Sequence, residues 1–270
     1  YLAIFGQYPW DLCPAVPPEM ILLPQRVPFN IYSLSSWSRA IVVPLSMIWA
    51  YKPRVEVPEE AALTELDVDG SIRHRATAKT PREFAWATFF EGVDVGLRSV
   101  ERLGLRPFRR DALDRCEEWI LARVEKSDGL GAIFPPIVNT IIALRCHGYG
   151  LDHPVLAAQI EELEKLEIED DETLRLQPCK SPVWDTAQAL GALLECDDEE
   201  DDAAVGKAVD WLLEREVTEP GDCQIIYPEI PGGGWYFEYA NEFYPDCDDT
   251  AEVVTALARA ARRSRRAVVR

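Results

Sequence analysis

Residues 231–254 read PGGGWYFEYANEFYPDCDDTAEVV. Three carboxylates fall within four positions, Asp246, Asp248 and Asp249, with Cys247 between the first two. Aromatic side chains crowd the approach: Trp235, Tyr236, Phe237, Tyr239, Phe243 and Tyr244. Three like charges this close cannot all ionise cheaply in a dry site, so the cluster is expected to keep at least one proton at neutral pH. A carboxylic acid held protonated among aromatic faces suits a weak base such as an alkene or an epoxide. Its protonation gives a carbocation that ring quadrupoles stabilise. One effect opposes this. A helix is expected to begin near Asp248, and its macrodipole favours ionised carboxylates, so burial and mutual repulsion must outweigh it. The plain structural alternative is an Asp-rich helix cap on a solvated surface.

Outward from this stretch, helical signals dominate and strand-like alternation is nearly absent, so the fold class is all-α. Thr80–Pro81–Arg82–Glu83 has the capping-box pattern with proline at the first helical position, and opens a helix with Phe84, Phe89 or Phe90, Val93, Leu97 and Val100 on its apolar face. Further helices are expected over about 110–125, with Leu113, Cys116, Ile120 and Val124 on one side, then over about 136–147, stopping at Gly148, and over about 154–166. Ser181–Pro182 starts another that ends near Glu195, and one more lies at about 202–216. The apolar stretch Ala40–Ala50 reads as a buried helix kinked by Pro44. Two segments repeat weakly: Trp119-Ile-Leu-Ala-Arg and Trp211-Leu-Leu-Glu-Arg each close a helix before a Gly/Pro-rich loop. This period suggests an α/α toroid or solenoid.

Composition narrows the function. The chain has 270 residues, of which 47% are hydrophobic, enough for a substantial core. A net charge of −19 argues against a nucleic-acid partner, which wants a basic face. Much of that charge sits in runs read as solvated, Glu161–Glu172 and Asp197–Asp202. Seven scattered cysteines (13, 116, 146, 179, 196, 223, 247) lack metal or redox spacing and read as reduced residues of a cytosolic compartment. The three histidines (74, 147, 153) show no ligand spacing, so no zinc site is expected. No signal peptide and no 18-residue apolar run is present, so no bilayer-spanning segment is expected.

The run DCDDTA resembles the DxDDTA signature of class II terpene cyclases, and its flanks resemble the triterpene branch, the squalene–hopene cyclases. Four other blocks agree, in family order: GQYPWDLCPAVPPEMILLP at 6–24, PFNIYSLSSWSRAIVVPLSM at 28–47, SDGLGAIFPPIVNTIIAL at 127–144 and QPCKSPVWDTAQALGALL at 177–194. The resemblance implies two α/α barrels, one inserted into the sequence of the other. Residues 1–178 would be the later part of the inserted barrel and residues 179–270 the opening part of the catalytic one, so the chain reads as an internal piece of a longer family sequence. The family's loops carry a Gln–Trp clamp. Here the Gln positions hold Val124 and Glu216 and the Trp positions Gly131 and Cys223, so both clamps are degenerate. The C-terminal ARAARRSRRAVVR departs from the family pattern and reads as a truncation or frameshift scar, or as a basic helix end.

The same resemblance implies the chemistry. Asp248, the middle acid, would deliver the proton, with Asp246 and Asp249 tuning and orienting it. Trp184 and Phe237 would line the cavity and stabilise cyclising cations, and Trp37 is a candidate on the same grounds. Asp185, beside Trp184, reads as structural. The implied reaction is a redox-neutral polycyclisation of squalene, or a similar linear triterpene, to a hopene-type product, with no cofactor and no metal. The magnesium sites of class I terpene synthases use DDxxD rather than DxDD, and no second acidic motif is evident. The resemblance further implies a monotopic enzyme on the cytoplasmic side of the bacterial cell membrane, and it allows a homodimer. Two alternatives stand beside it. A class II prenyl-diphosphate cyclase would need a phosphate-binding basic or magnesium site, and an α/α-toroid remnant or binding module would have no catalysis.

Overall fold

The computed structural model describes residues 1–63, 65, 81–125, 127–196 and 202–269. Nine α-helices carry the described chain: α1 (Ser36–Tyr51), α2 (Pro81–Arg102), α3 (Arg109–Val124), α4 (Phe134–His147), α5 (Pro154–Glu164), α6 (Pro182–Cys196), α7 (Asp202–Leu213), α8 (Cys223–Ile226) and α9 (Cys247–Val269). Short 3-10 turns at Pro18–Leu22 and Ile31–Ser33 precede α1. The chain is all-α apart from one antiparallel pair, β1 (Glu167–Glu169) with β2 (Leu174–Leu176), in register Ile168 to Arg175. This hairpin starts in the first of the two charged runs and ends just past it, and Asp170 closes the turn by accepting from the backbone of Glu172 and Thr173. Thr80, the side chain of Phe84, His74 and residues 197–201 of the second run lie outside the described residues.

Most helix boundaries follow the local signals. Proline stands in the first turn of α4 and α5, and Gly148 ends α4 at φ +109°, a conformation that favours glycine. Ser35 caps α1 by accepting from the Ser38 amide, and Pro44 sits inside that helix. The helix expected to reach about residue 216 stops at Leu213 instead.

Two apolar cores form. The first joins α1, α3 and the preceding 3-10 turns through Val43, Met47, Ile48, Cys116 and Ile120. The second joins α6, α7 and α9 through Val183, Ala187, Leu190, Leu212 and Val253. The segment between α7 and α9 belongs to both: Trp235 and Tyr236 pack into the second core, whereas Tyr244 packs into the first. Buried polar contacts fix it there. Asp222 pairs with Arg39 of α1 and, at 3.6 Å, with Arg123 of α3. Arg123 in turn stacks on Trp119 and Phe243, 3.9 and 4.6 Å from their ring centres. Asp128 and Ala240 exchange two hydrogen bonds, Asp128 N–H to the Ala240 carbonyl (2.8 Å) and Ala240 N–H to the Asp128 carboxylate (2.9 Å). Two guanidinium groups on one buried carboxylate, plus this loop pair, hold the acid-bearing segment against the helices of the first core.

The apolar face expected on α2 has no such cover. Trp86, Phe89, Phe90 and Val93 are exposed, and Leu97 is half-buried. The first three rings contact one another, and Phe89 and Phe90 also contact Phe29, with centroids 5.2–6.5 Å apart.

Candidate active site

The acid run sits at the start of α9. Asp246 is its cap: its carboxylate accepts from the Asp249 amide (2.8 Å), while its own N–H donates to the Trp235 carbonyl (3.0 Å). The Trp235 amide donates to the Thr250 hydroxyl (3.0 Å), and the indole N–H donates to the Leu212 carbonyl (2.6 Å). The aromatic strip and the helix start are thus laced together. Gly234 makes this approach possible. It has φ +125°, and a Cβ there would stand 2.8 Å from Thr250 Oγ1.

Helix geometry separates the two neighbouring acids. Asp249, Val253, Ala256 and Ala260 follow the i, i+4, i+7, i+11 pattern of a single stripe, and all four are buried. Asp248 lies about 100° further round the helix and is exposed. Asp249 is 2% exposed and its Oδ1 has no hydrogen-bond partner. Burial, then hydrogen bonding with Asp246, then the charges of Asp246, Glu238 and Asp248 push its carboxyl up to about 8. The acid that burial keeps protonated at neutral pH is therefore Asp249, overriding the helix dipole that acts the other way.

The six residues singled out in the sequence meet at one place. Trp37 from the first turn of α1, Trp184 from the first turn of α6, Phe237, and Asp246, Asp248 and Asp249 line a cavity of 240 Å³. Phe237 stands between the two tryptophans: its ring centre is 6.4 Å from Trp37, edge-on, and 6.3 Å from Trp184, tilted by 46°. Its carbonyl accepts from the Val183 amide at the start of α6. Three π faces from three segments therefore surround a group of acids. Asp185 points elsewhere, accepting from the Ser181 hydroxyl (3.0 Å) in the first turn of α6.

Sequence reasoning missed Glu238. It is 1% exposed, accepts from Asn241 Nδ2 (3.1 Å) and leaves Oε1 without a partner. Burial pushes its carboxyl up to about 8. The available signal was an acid inside the aromatic run Tyr236-Phe237-Glu238-Tyr239, with no basic residue beside it in sequence. It also missed a grouping on the far side of the first core, where His147 of α4 meets Asp114 and Glu117 of α3. Both histidine nitrogens are engaged there, Nδ1 with the Tyr51 hydroxyl (2.7 Å) and Nε2 with Glu117 (3.3 Å). A larger cavity of 580 Å³ between the N-terminal segment and α1 is lined by apolar groups such as Trp10, Leu45 and Trp49, and among the described residues no Asp, Glu, Lys, Arg or His lines it.

Comparison with known proteins places the chain. Residues 1–172 match the squalene-hopene cyclase N-terminal domain and residues 180–270 the squalene-hopene cyclase C-terminal domain. The squalene–hopene cyclase of Bradyrhizobium diazoefficiens is 36% identical over 263 residues, covering 97% of this chain and 40% of that protein. The squalene–hopene cyclase of Alicyclobacillus acidocaldarius is 38% identical over 259 residues, 95% of this chain and 40% of that protein. A dammaradiene synthase of Dryopteris crassirhizoma is 34% identical over 257 residues, 95% of this chain and 37% of that protein. The chain spans about two fifths of the length of these relatives. On these matches, the chain belongs to the squalene–hopene cyclase family.

Proposed function

We propose that this chain carries the acid centre of a class II triterpene cyclase, an isomerase acting on squalene in hopanoid biosynthesis. Asp248 donates a proton to a terminal alkene of the substrate. Asp246 orients the helix start, and Asp249, the protonated partner, keeps negative charge on the cluster low. Trp37, Trp184 and Phe237 offer ring faces to the cations that follow. The single observation carrying this reading is that these six residues, drawn from three distant stretches of the chain, line one cavity.

Each step is redox-neutral. The proton leaves a carboxyl oxygen and forms a C–H bond at the alkene, and the cation left on the adjacent carbon is attacked by the next alkene in a prefolded chain. Ring closure repeats until the last cation loses a proton to form the final double bond, so atoms and charge balance without a cofactor. The protein contributes shape, one acid and an aromatic wall. The relatives' names span hopene and dammaradiene products, and we assign the hopene type because the two bacterial squalene–hopene cyclases share more of this sequence, 36% and 38% against 34% for the dammaradiene synthase.

The exposed aromatic group on α2 supports a monotopic seat on the cytoplasmic membrane face. No helix among the described residues is long and apolar enough to cross a membrane. Trp86, Phe89, Phe90 and Phe29 instead form one exposed cluster suited to the acyl boundary, where a hydrocarbon substrate is dissolved.

A second reading rests on the exposure of Asp248: the isolated chain is a toroid remnant whose acid is open to water. Incubation with squalene in detergent, followed by gas chromatography with mass detection, separates the two. Cyclic isomers of squalene that vanish in Asp248→Asn support catalysis by this chain. Their absence from the parent chain supports the remnant.

A further inference from the structure

Phe237 and Glu238 are adjacent in sequence but face different cavities. Phe237 lines the acid cavity, whereas Glu238 lines a second, polar cavity of 260 Å³ shared with Asp128, Glu162, Lys165 and Lys180. The backbone between them is thus a wall one residue thick. On its polar side stands a carboxyl that is 1% exposed, with one oxygen, Oε1, unpartnered. On its acid side stands Asp249, 2% exposed, with Oδ1 equally unpartnered. Two orphaned acid oxygens face each other's field across one wall, a costly arrangement unless protons occupy them.

We propose that Glu238 is a fourth acid of the site, which takes protons from the polar cavity and couples its protonation to Asp249 and Asp246, so that the cluster is loaded from the side opposite the substrate. The inference rests on the proposed acid chemistry for its purpose, but not for its test. Any acid that protonates an alkene becomes a carboxylate and must regain a proton before the next turnover. Once a hydrocarbon fills the substrate cavity and covers the exposed Asp248, that cavity is the wrong source, because water admitted there would quench the cations. The polar cavity gives a separate supply. Solvent protonates Glu238, the proton passes to the Asp249–Asp246 pair and from there to Asp248, and Glu238 is reprotonated from solvent. No proton is consumed over the cycle, since the final cation releases one. Glu238 acts through the cluster and is a positioning residue rather than one that touches substrate.

The electrostatics agree with this placement. After burial and its own hydrogen bonds, Glu238 is raised by Asp246 on one side and Asp128 on the other, and Asp249 is raised by Glu238. The other titratable groups facing Glu238 are Glu162 of α5, Lys165 just past its end, Lys180 before α6, the Tyr236 phenol and the Cys179 thiol, the last two raised by burial first and by Glu238 as a lesser cause.

The test is carboxyl-carbon NMR of this chain labelled with ¹³C at Glu and Asp side-chain carboxyls, titrated from acid to alkaline pH. Glu238→Gln keeps an oxygen to accept from Asn241 and so preserves the fold. It should delete one glutamate resonance that titrates near neutral pH and lower the Asp249 midpoint by roughly one pH unit, the scale at which interacting sites titrate as a pair. Asp128→Asn, which keeps its bond to Ala240, should lower the Glu238 midpoint by less. An Asp249 midpoint unmoved in Glu238→Gln, or a Glu238 that titrates with the ordinary carboxylates, overturns the proposal. The titration needs no turnover. Intact coupling with no cyclisation, either by the chain alone or by the chain joined to the remaining family segments, therefore sinks the proposed reaction and leaves this link standing, and cyclisation without coupling does the reverse.

Discussion

Two aromatic clusters in this molecule use the same residue types in opposite ways. Trp37, Trp184 and Phe237 are contributed by three segments, and around them a buried network holds the backbone: Asp222 between Arg39 and Arg123, Asp128 against Ala240, Trp235 against Thr250. Trp86, Phe89, Phe90 and Phe29 come from one helix and one loop, touch chiefly each other, and are exposed. The difference teaches that aromatic content alone does not mark a site. What distinguishes the first cluster is that separate elements are locked around it and that acids share its cavity. The second presents area outward and suits a surface of low polarity.

The comparison breaks most readily at Asp222. Asp222→Ala leaves Arg39 and Arg123 as buried charges without their carboxylate, and should cost about 3–5 kcal/mol by urea unfolding. A loss near zero would show that the acid segment is not held by this network.

The next effect is one of pH. Glu238 and Asp249 sit at about 8 in the folded chain, against ordinary values near 4 when unfolded. Between those limits the folded state binds more protons than the unfolded one. The stability these protonated acids contribute is therefore complete below about pH 4, declines as pH rises through the window and is gone above about pH 8. Asp249→Asn should flatten this decline, so its urea midpoint relative to the parent should improve from about pH 5 to about pH 8. An unchanged slope would mean that Asp249 is ionised at neutral pH.

The smallest effect on stability belongs to α2. Replacing Trp86 and Phe89 together with serine should change unfolding free energy by no more than about 0.5 kcal/mol, because neither side chain is buried. The same pair should weaken flotation with phospholipid vesicles several-fold. Equal flotation of parent and variant would remove the membrane role from this face.

The sequence made the helices legible where periodicity and punctuation agree. In α3, Leu113, Cys116 and Ile120 recur at helical spacing and are buried, and in α4 the proline start and Gly148 stop fall where expected. The β1–β2 hairpin was hidden because its first strand and turn lie in a charged run and its apolar side chains stay exposed. The exposure of α2 was hidden because an amphipathic pattern states which face is apolar, not what covers it. Asp249 was in reach, since it continues the stripe of Val253 and Ala256, but reading the acids as one cluster obscured the helical phase. Glu238 left only the faint signal of an acid inside an aromatic run, because the loop that carries it is held by a contact between segments more than 100 residues apart in sequence.

The most direct test of the account is squalene cyclisation by this sequence in two forms: the chain alone, and the chain joined to the remaining segments of the Alicyclobacillus acidocaldarius relative. The account predicts cyclic isomers of squalene from the joined form at the least, lost in Asp248→Asn and sharply reduced in Phe237→Ala. Cyclic products that persist in Asp248→Asn, or no cyclisation from either form, would contradict it.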